Sequence, residues 1–98
     1  MSTNDTRIEF FVFSKRFERD YRKLKIDIRI HVDDALKELQ KFPRPASIRF
    51  EKLKGHKRPN IFSIHATSNH SHKITFEIEN TTEKFRRIGT HKEIDDDP

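Results

Sequence analysis

Ser71-His72-Lys73-Ile74-Thr75-Phe76-Glu77-Ile78-Glu79 decides the fold. Ile74, Phe76 and Ile78 alternate with Lys73, Thr75 and Glu77, the period of two that a strand with one buried and one polar face requires. The stretch before it repeats the pattern, with Phe62, Ile64 and Ala66 alternating with Ser63, His65 and Thr67. The spacing predicts strands over Ile48–Leu53, Ile61–Thr67, Ser71–Glu79 and Glu83–Gly89. Turn residues separate them at Gly55 to Asn60, Asn69-His70 and Asn80-Thr81. Phe50 and Leu53 have opposite parity, so the first of these strands requires a bulge or a local end. Four strands joined by hairpins make an antiparallel sheet, one face apolar and the other polar and open.

Toward the N-terminus, Arg7–Phe13 (RIEFFVF) combines β-branched and aromatic residues and reads as a further strand. Ile8, Phe10 and Val12 face one way, and Phe11 and Phe13 add apolar area on the other. Ser14 is a good N-cap, and Phe17, Tyr21 and Leu24 follow at helical spacing. Lys15, Arg16, Arg19, Arg22 and Lys23 make the outer face of that helix basic. A second helix fits Asp27 to Lys41, with Ile28, Val32, Ala35, Leu36 and Leu39 along one face and Phe42-Pro43 as its stop. The short break near Lys25 folds the pair into a hairpin. The order is β-α-α-β-β-β-β, an α+β domain with an N-terminal helical hairpin packed on a curved, mostly antiparallel sheet. One domain covers residues 7–94, residues 1–6 are a disordered N-terminus, and 95–98 are an acidic tail read as a disordered cap.

Composition narrows the class. The chain has 98 residues, enough for one domain, and 38% are charged. Such charge would suit a disordered chain, but the Leu, Ile, Val and Phe content, mostly Ile and Phe, exceeds the roughly 20% below which no core forms. Cysteine is absent, which removes disulfides, a thiol nucleophile and Cys-based zinc sites. With no long apolar run and no signal peptide, the expectation is a soluble, cytoplasmic protein without a membrane partner. The net charge of +5 is uneven: Arg49 to Arg58 holds Arg49, Lys52, Lys54, Lys57 and Arg58 against Glu51 alone, whereas residues 95–98 are Asp95-Asp96-Asp97-Pro98. Basic charge of this kind suits a polyanion or an acidic protein and does not choose between them.

Alternation also predicts what the polar face carries. His65 and Lys73 stand on it with Ser63, Thr67 and Thr75 nearby. Burying Ile88 brings Arg87 to the same face, and His91 follows just past the strand end. Either Lys52 or Lys54 reaches it as well. Two imidazoles among cations suit metal-free RNA cleavage, in which the RNA's own 2′-OH attacks the adjacent phosphate. One histidine takes that proton, the other protonates the departing oxygen, and cations neutralise the phosphorane. The same residues also suit a solvated sheet face with incidental histidines. His65, His70, His72 and His91 are the nearest approach to a zinc set, but no metal and no cofactor is expected. His31 reads as a surface helix residue and His56 as part of a lysine-rich loop.

The order of elements, Phe50-Glu51-Lys52-Leu53-Lys54-Gly55 and the terminal Arg87-Ile88-Gly89-Thr90-His91 resemble the RelE/ParE superfamily of toxins from bacterial type II toxin–antitoxin systems. The likeness spans about residues 8–94. With Phe85-Arg86-Arg87 before it, the Gly-Thr-His ending is most similar to the YafQ branch. The resemblance implies a ribosome-dependent mRNA endoribonuclease with His91 and His65 as the acid–base pair and Lys54, Lys73 and Arg87 on the phosphate. It implies RNA and ribosome contacts through Arg49, Lys52, Lys54, Lys57, Arg58, Lys15, Arg19, Arg22 and Lys23. Further implied partners are a cognate acidic antitoxin over Lys15–Lys25 and Arg49–Arg58, and operator DNA only for the toxin–antitoxin complex. The YafQ-like pattern is matched at His65 and His91, whereas Lys52, Asn69, His70 and Asp95 stand where that branch has other residues. Glu51 is a candidate base by likeness to the YoeB branch. The alternatives are a non-enzymatic, ParE-like gyrase inhibitor and a toxin that only binds its antitoxin.

Overall fold

Eight elements follow one another along the chain: β1 (Phe10–Phe13), α1 (Lys15–Lys23), α2 (Ile26–Leu39), β2 (Glu51–Lys57), β3 (Asn60–His65), β4 (His72–Glu79), β5 (Thr82–Thr90) and α3 (His91–Asp96). The computed structural model describes residues 9–41, 48–57, 60–67 and 71–98, with the backbone alone at Lys54, His56 and Lys57. The expected order is present with one helix added at its end. The strands form a single sheet in the order β1-β5-β4-β3-β2. Every pairing is antiparallel except that of β1 with β5.

The alternating apolar residues become the core. Phe62, Ile64, Ala66, Ile74, Phe76, Phe85 and Ile88 from the sheet are buried against Phe17, Val32, Ala35 and Leu39 from the helices. The ring of Phe85 joins the N-terminal elements to the sheet: Phe11 meets it edge-on at 4.9 Å, Phe13 stacks at 5.1 Å and Phe17 lies at 5.3 Å. Pairs of this kind add about 0.5–1.5 kcal/mol beyond the area they bury. Phe10 and Val12 take the opposite parity and stand exposed. Residues 7 and 8, expected to start this strand, lie outside the described residues.

Ser14 caps α1 as expected, its Oγ accepting from the Phe17 amide at 3.0 Å. The helix hairpin closes where the Tyr21 hydroxyl donates to Asp33 at 2.8 Å. Arg29 donates to the carbonyls of Tyr21 and Arg22 in the last turn of α1, where the Tyr21 carbonyl also accepts from the Leu24 amide at 3.1 Å. The expected stop at Phe42-Pro43 lies outside the described residues; α2 itself ends at Leu39.

Three expectations are corrected. The strand expected over Ile48–Leu53 runs from Glu51 to Lys57, because Arg49 takes a φ of +51° and breaks extended backbone just before it. The register of β2 shifts between Lys52 and Lys57, with Gly55 at φ +84°, so the irregularity demanded by Phe50 and Leu53 is present. Pairing of Lys57 with Asn60 also shortens the expected Gly55-to-Asn60 turn. Second, the polar face is not open: Ser63, Thr67 and Thr75 are buried. Third, the segment read as a disordered acidic cap is in large part α3 and its continuation, packed on that face. Ile94 is fully buried beneath the helix. Gly89 permits the approach, since a Cβ there would stand 3.3 Å from the Glu93 Cβ. Among the described residues no helix is long and apolar enough to cross a membrane.

Candidate functional site

His65 ends β3 and lies opposite Lys73 in β4, and Lys73 in turn lies opposite Gly89 in β5. Two residues beyond Gly89, His91 begins α3. This register brings the imidazoles of His65 and His91 together, with centroids 5.1 Å apart and planes at 77°. Both residues are half-buried. Two imidazoles so placed can serve a single reacting group, one accepting a proton and the other donating one.

α3 aims His91. Thr90 is its N-cap: its hydroxyl accepts from the Glu93 amide, while the Glu93 carboxylate accepts from the Thr90 amide at 3.1 Å and hydroxyl at 2.9 Å. Those two donors, backbone first, hold the Glu93 carboxyl below its ordinary value. Sequence reasoning missed this helix, although Thr90-x-x-Glu93 before Ile94 is a capping box that can be read from the residues alone.

The expected cations divide. Lys73, its side chain 12% exposed, meets the Asp95 carboxylate at 3.3 Å. Arg87 is held by α1: Nε and Nη2 lie 3.1 and 3.3 Å from the Asp20 carboxylate. Asp20 also accepts from the Ile88 amide at 3.1 Å, filling the edge of β5 beyond the point where β1 stops pairing. The bond to Asp20, first among its causes, raises the already high pKa of Arg87. Arg87 therefore fastens α1 to β5 and lies at the border of the site.

Lys52 pairs with Phe62, a core residue, whereas Glu51 pairs with the buried Ser63, so Glu51 and not Lys52 shares the histidine face. Lys54 and Lys57 lie in β2, and Arg58, Asn69 and His70 lie outside the described residues. Arg49, Lys15, Arg19, Arg22 and Lys23 are exposed. His72 turns aside, its Nδ1 2.8 Å from Ser71 Oγ, which is itself 3.1 Å from Thr67 Oγ1. His31 is exposed on α2.

A groove of about 380 Å³ between α1 and α2 is lined by Phe13, Phe17, Glu18, Tyr21, Arg22, Asp33 and Leu36. Ile26 and Ile30 are exposed on α2, and Phe10 and Val12 are exposed on the face of β1 turned away from Phe17.

No protein-family model and no curated protein sequence matches the chain. Solved structures do, and they show that the chain has the fold of RelE-type toxins. It is similar to a chain of the RelB–RelE antitoxin–toxin complex from Methanococcus jannaschii, at 25% identity and a TM-score of 0.63 over 87% of this chain and 95% of that one. The YoeB dimer from Staphylococcus aureus matches at 17% identity and 0.63, covering 88% of this chain and 99% of that one. YafQ from E. coli matches at 16% identity and 0.61, covering 86% and 94%.

Proposed function

We propose that this chain is the toxin of a toxin–antitoxin pair and acts in the cytoplasm as a ribosome-dependent mRNA endoribonuclease that needs no metal. The contact between His65 and His91 carries this reading. The 2′-OH of the mRNA attacks the adjacent phosphorus as one imidazole takes its proton. The O2′–P bond forms, the P–O5′ bond breaks, and the other imidazole protonates the leaving 5′ oxygen. The products are a 2′,3′-cyclic phosphate and a 5′-OH. His91 is the principal acid or base and His65 its partner. Lys73, beside His65 in register, stabilises the phosphorane with Lys54, and Arg87 borders the phosphate. Exposed Arg49, Lys52, Lys15, Arg19, Arg22 and Lys23, with Lys57 and Arg58, supply the electrostatic footprint for RNA and ribosome.

The acidic antitoxin partner docks over Lys15–Lys25 and Arg49–Arg58, whose cations attract it. The apolar Phe13, Phe17 and Leu36 of the α1–α2 groove, which also holds Glu18 and Asp33 beside Arg22, take an apolar face of the partner. Operator DNA is bound only by the pair. A second reading, a toxin that acts by binding alone and inhibits gyrase or only meets its antitoxin, draws on the engagement of Arg87 by Asp20 and of Lys73 by Asp95. Purified protein added to a reconstituted translation system separates the two. The nuclease reading expects mRNA cut on programmed ribosomes, with the cuts lost in His91→Ala and reduced at least tenfold in His65→Ala. Uncut mRNA with full-length wild-type protein would remove it.

A further inference from the structure

The residues after Ile94 lie on a row of cations. Asp95 meets Lys73 at 3.3 Å, and the Asp97 carboxylate pairs with Arg16. Arg87 Nη1 donates to the Asp97 carbonyl at 3.2 Å and lies 3.8 Å from its carboxylate. The Pro98 carbonyl accepts from the Thr75 hydroxyl at 2.9 Å and from Arg86 Nε at 3.4 Å. Oxygen atoms of three residues thus satisfy four cations and a hydroxyl in succession. Pro98 also forms one wall of a cleft of about 260 Å³ whose other walls include Arg16, Arg86 and Arg87.

We propose that Lys73, Thr75, Arg16, Arg86 and Arg87 form a phosphodiester groove for single-stranded RNA that the chain's own residues 95–98 occupy at rest. This deepens the nuclease reading and rests on it for the choice of RNA: Lys73 lies opposite His65, and Asp95 lies one helical turn beyond His91, so the groove leads out of the histidine pair. The charges decide the state. Arg86 also pairs with Glu77 and Arg87 with Asp20, so with Asp95 and Asp97 in place four carboxylates balance four cations. Release of the tail leaves two positive charges uncompensated. Release begins at Asp97, whose pair with Arg16 is exposed on both sides, 61% and 48%, and is of the weak surface kind, while Asp95 is itself 61% exposed over a Lys73 that is 12% exposed. Release also leaves His91 in position, since the first turn of α3, His91 to Ile94, is anchored by the fully buried Ile94 and by its capping box even when Asp95 and Asp96 leave the helix.

The test is binding of a fluorescein-labelled, 2′-O-methylated single-stranded RNA by the full chain and by Asp95→Asn/Asp97→Asn, followed by anisotropy across a salt series. Circular dichroism confirms that the variant is folded. The groove predicts roughly three- to tenfold tighter binding in the variant, the sum of two weak competing pairs. It also predicts a plot of log affinity against log salt that is steeper by about 1.4, from two more neutralised phosphates. Unchanged affinity and slope in the folded variant would overturn the proposal. So would equal tightening toward a polyglutamate peptide of matched charge, which would assign the groove to acidic protein. The RNA analogue cannot be cleaved, so tighter binding without mRNA cutting elsewhere would keep the groove and remove the nuclease. Intact cutting with unchanged binding would do the reverse.

Discussion

Asp20 does more at residue scale than its place in a basic helix suggests. Its carboxylate is 10% exposed and accepts from two nitrogens of Arg87 and from the Ile88 amide. Asp20→Ala leaves a nearly buried guanidinium and a strand amide without their acceptor, so urea denaturation should show a loss of about 2 kcal/mol. A loss below about 0.5 kcal/mol would show that water replaces the carboxylate. At Gly89 the expectation reverses. A Cβ there would meet Glu93 at 3.3 Å, so Gly89→Ala pushes α3, and His91 with it, outward by a few tenths of an ångström. Cleavage should fall several-fold while the melting temperature moves by only a few degrees, about what 1 kcal/mol does in a chain of this size. Loss of stability without loss of rate would mean that α3 does not aim His91.

At the scale of elements, α3 is six residues long and has little helical stability of its own. Its capping box and Ile94 hold it. Thr90→Ala should cost about 1 kcal/mol and Ile94→Ala about 2–4 kcal/mol, both read from thermal unfolding. Because Glu93 has a lowered pKa in the folded chain, its contribution is full above the ordinary glutamate value near 4.5 and disappears as pH falls through the lowered one. The stability of Glu93→Gln should therefore fall less steeply than that of wild type below that value. Parallel acid profiles would show that the carboxylate is not part of the cap.

The same elements show how far the residues alone could be read. The strands β3 and β4 were legible because one face of each is apolar and the period of two is uninterrupted, whereas in β5 the period breaks between the core residues Phe85 and Ile88, where its register with β4 shifts. The β4–β5 hairpin at Asn80-Thr81 was legible because asparagine tolerates the left-handed conformation that it adopts, at φ +57°. The start of β2 was not, because nothing in the identity of Arg49 announces a positive φ. The expected Ser63–Thr67–Thr75 polar face was read correctly for parity and wrongly for exposure. Periodicity says which way a side chain points, and only tertiary packing says what covers it. The His65–His91 pair followed from parity, whereas the commitment of Arg87 to Asp20 joins residues 67 positions apart and leaves no local trace.

Over the whole molecule, charge and fold make a connected argument. The fold is that of RelE-type toxins, the histidine pair joins the end of β3 to the start of α3 across β4, and exposed cations occupy α1 and the region around β2. Ribosome binding carried by such cations must weaken with salt. Lys52→Ala/Lys54→Ala should lower affinity in a ribosome-sedimentation assay and flatten its salt dependence; an unchanged slope would put the footprint elsewhere. The most direct measurement is induced expression in bacteria with mRNA 5′ ends mapped within minutes, wild type beside His91→Ala. Cuts at fixed codon positions within translated frames, absent in the variant, are the predicted result. Growth arrest without new 5′ ends, or the same ends in His91→Ala, would contradict it.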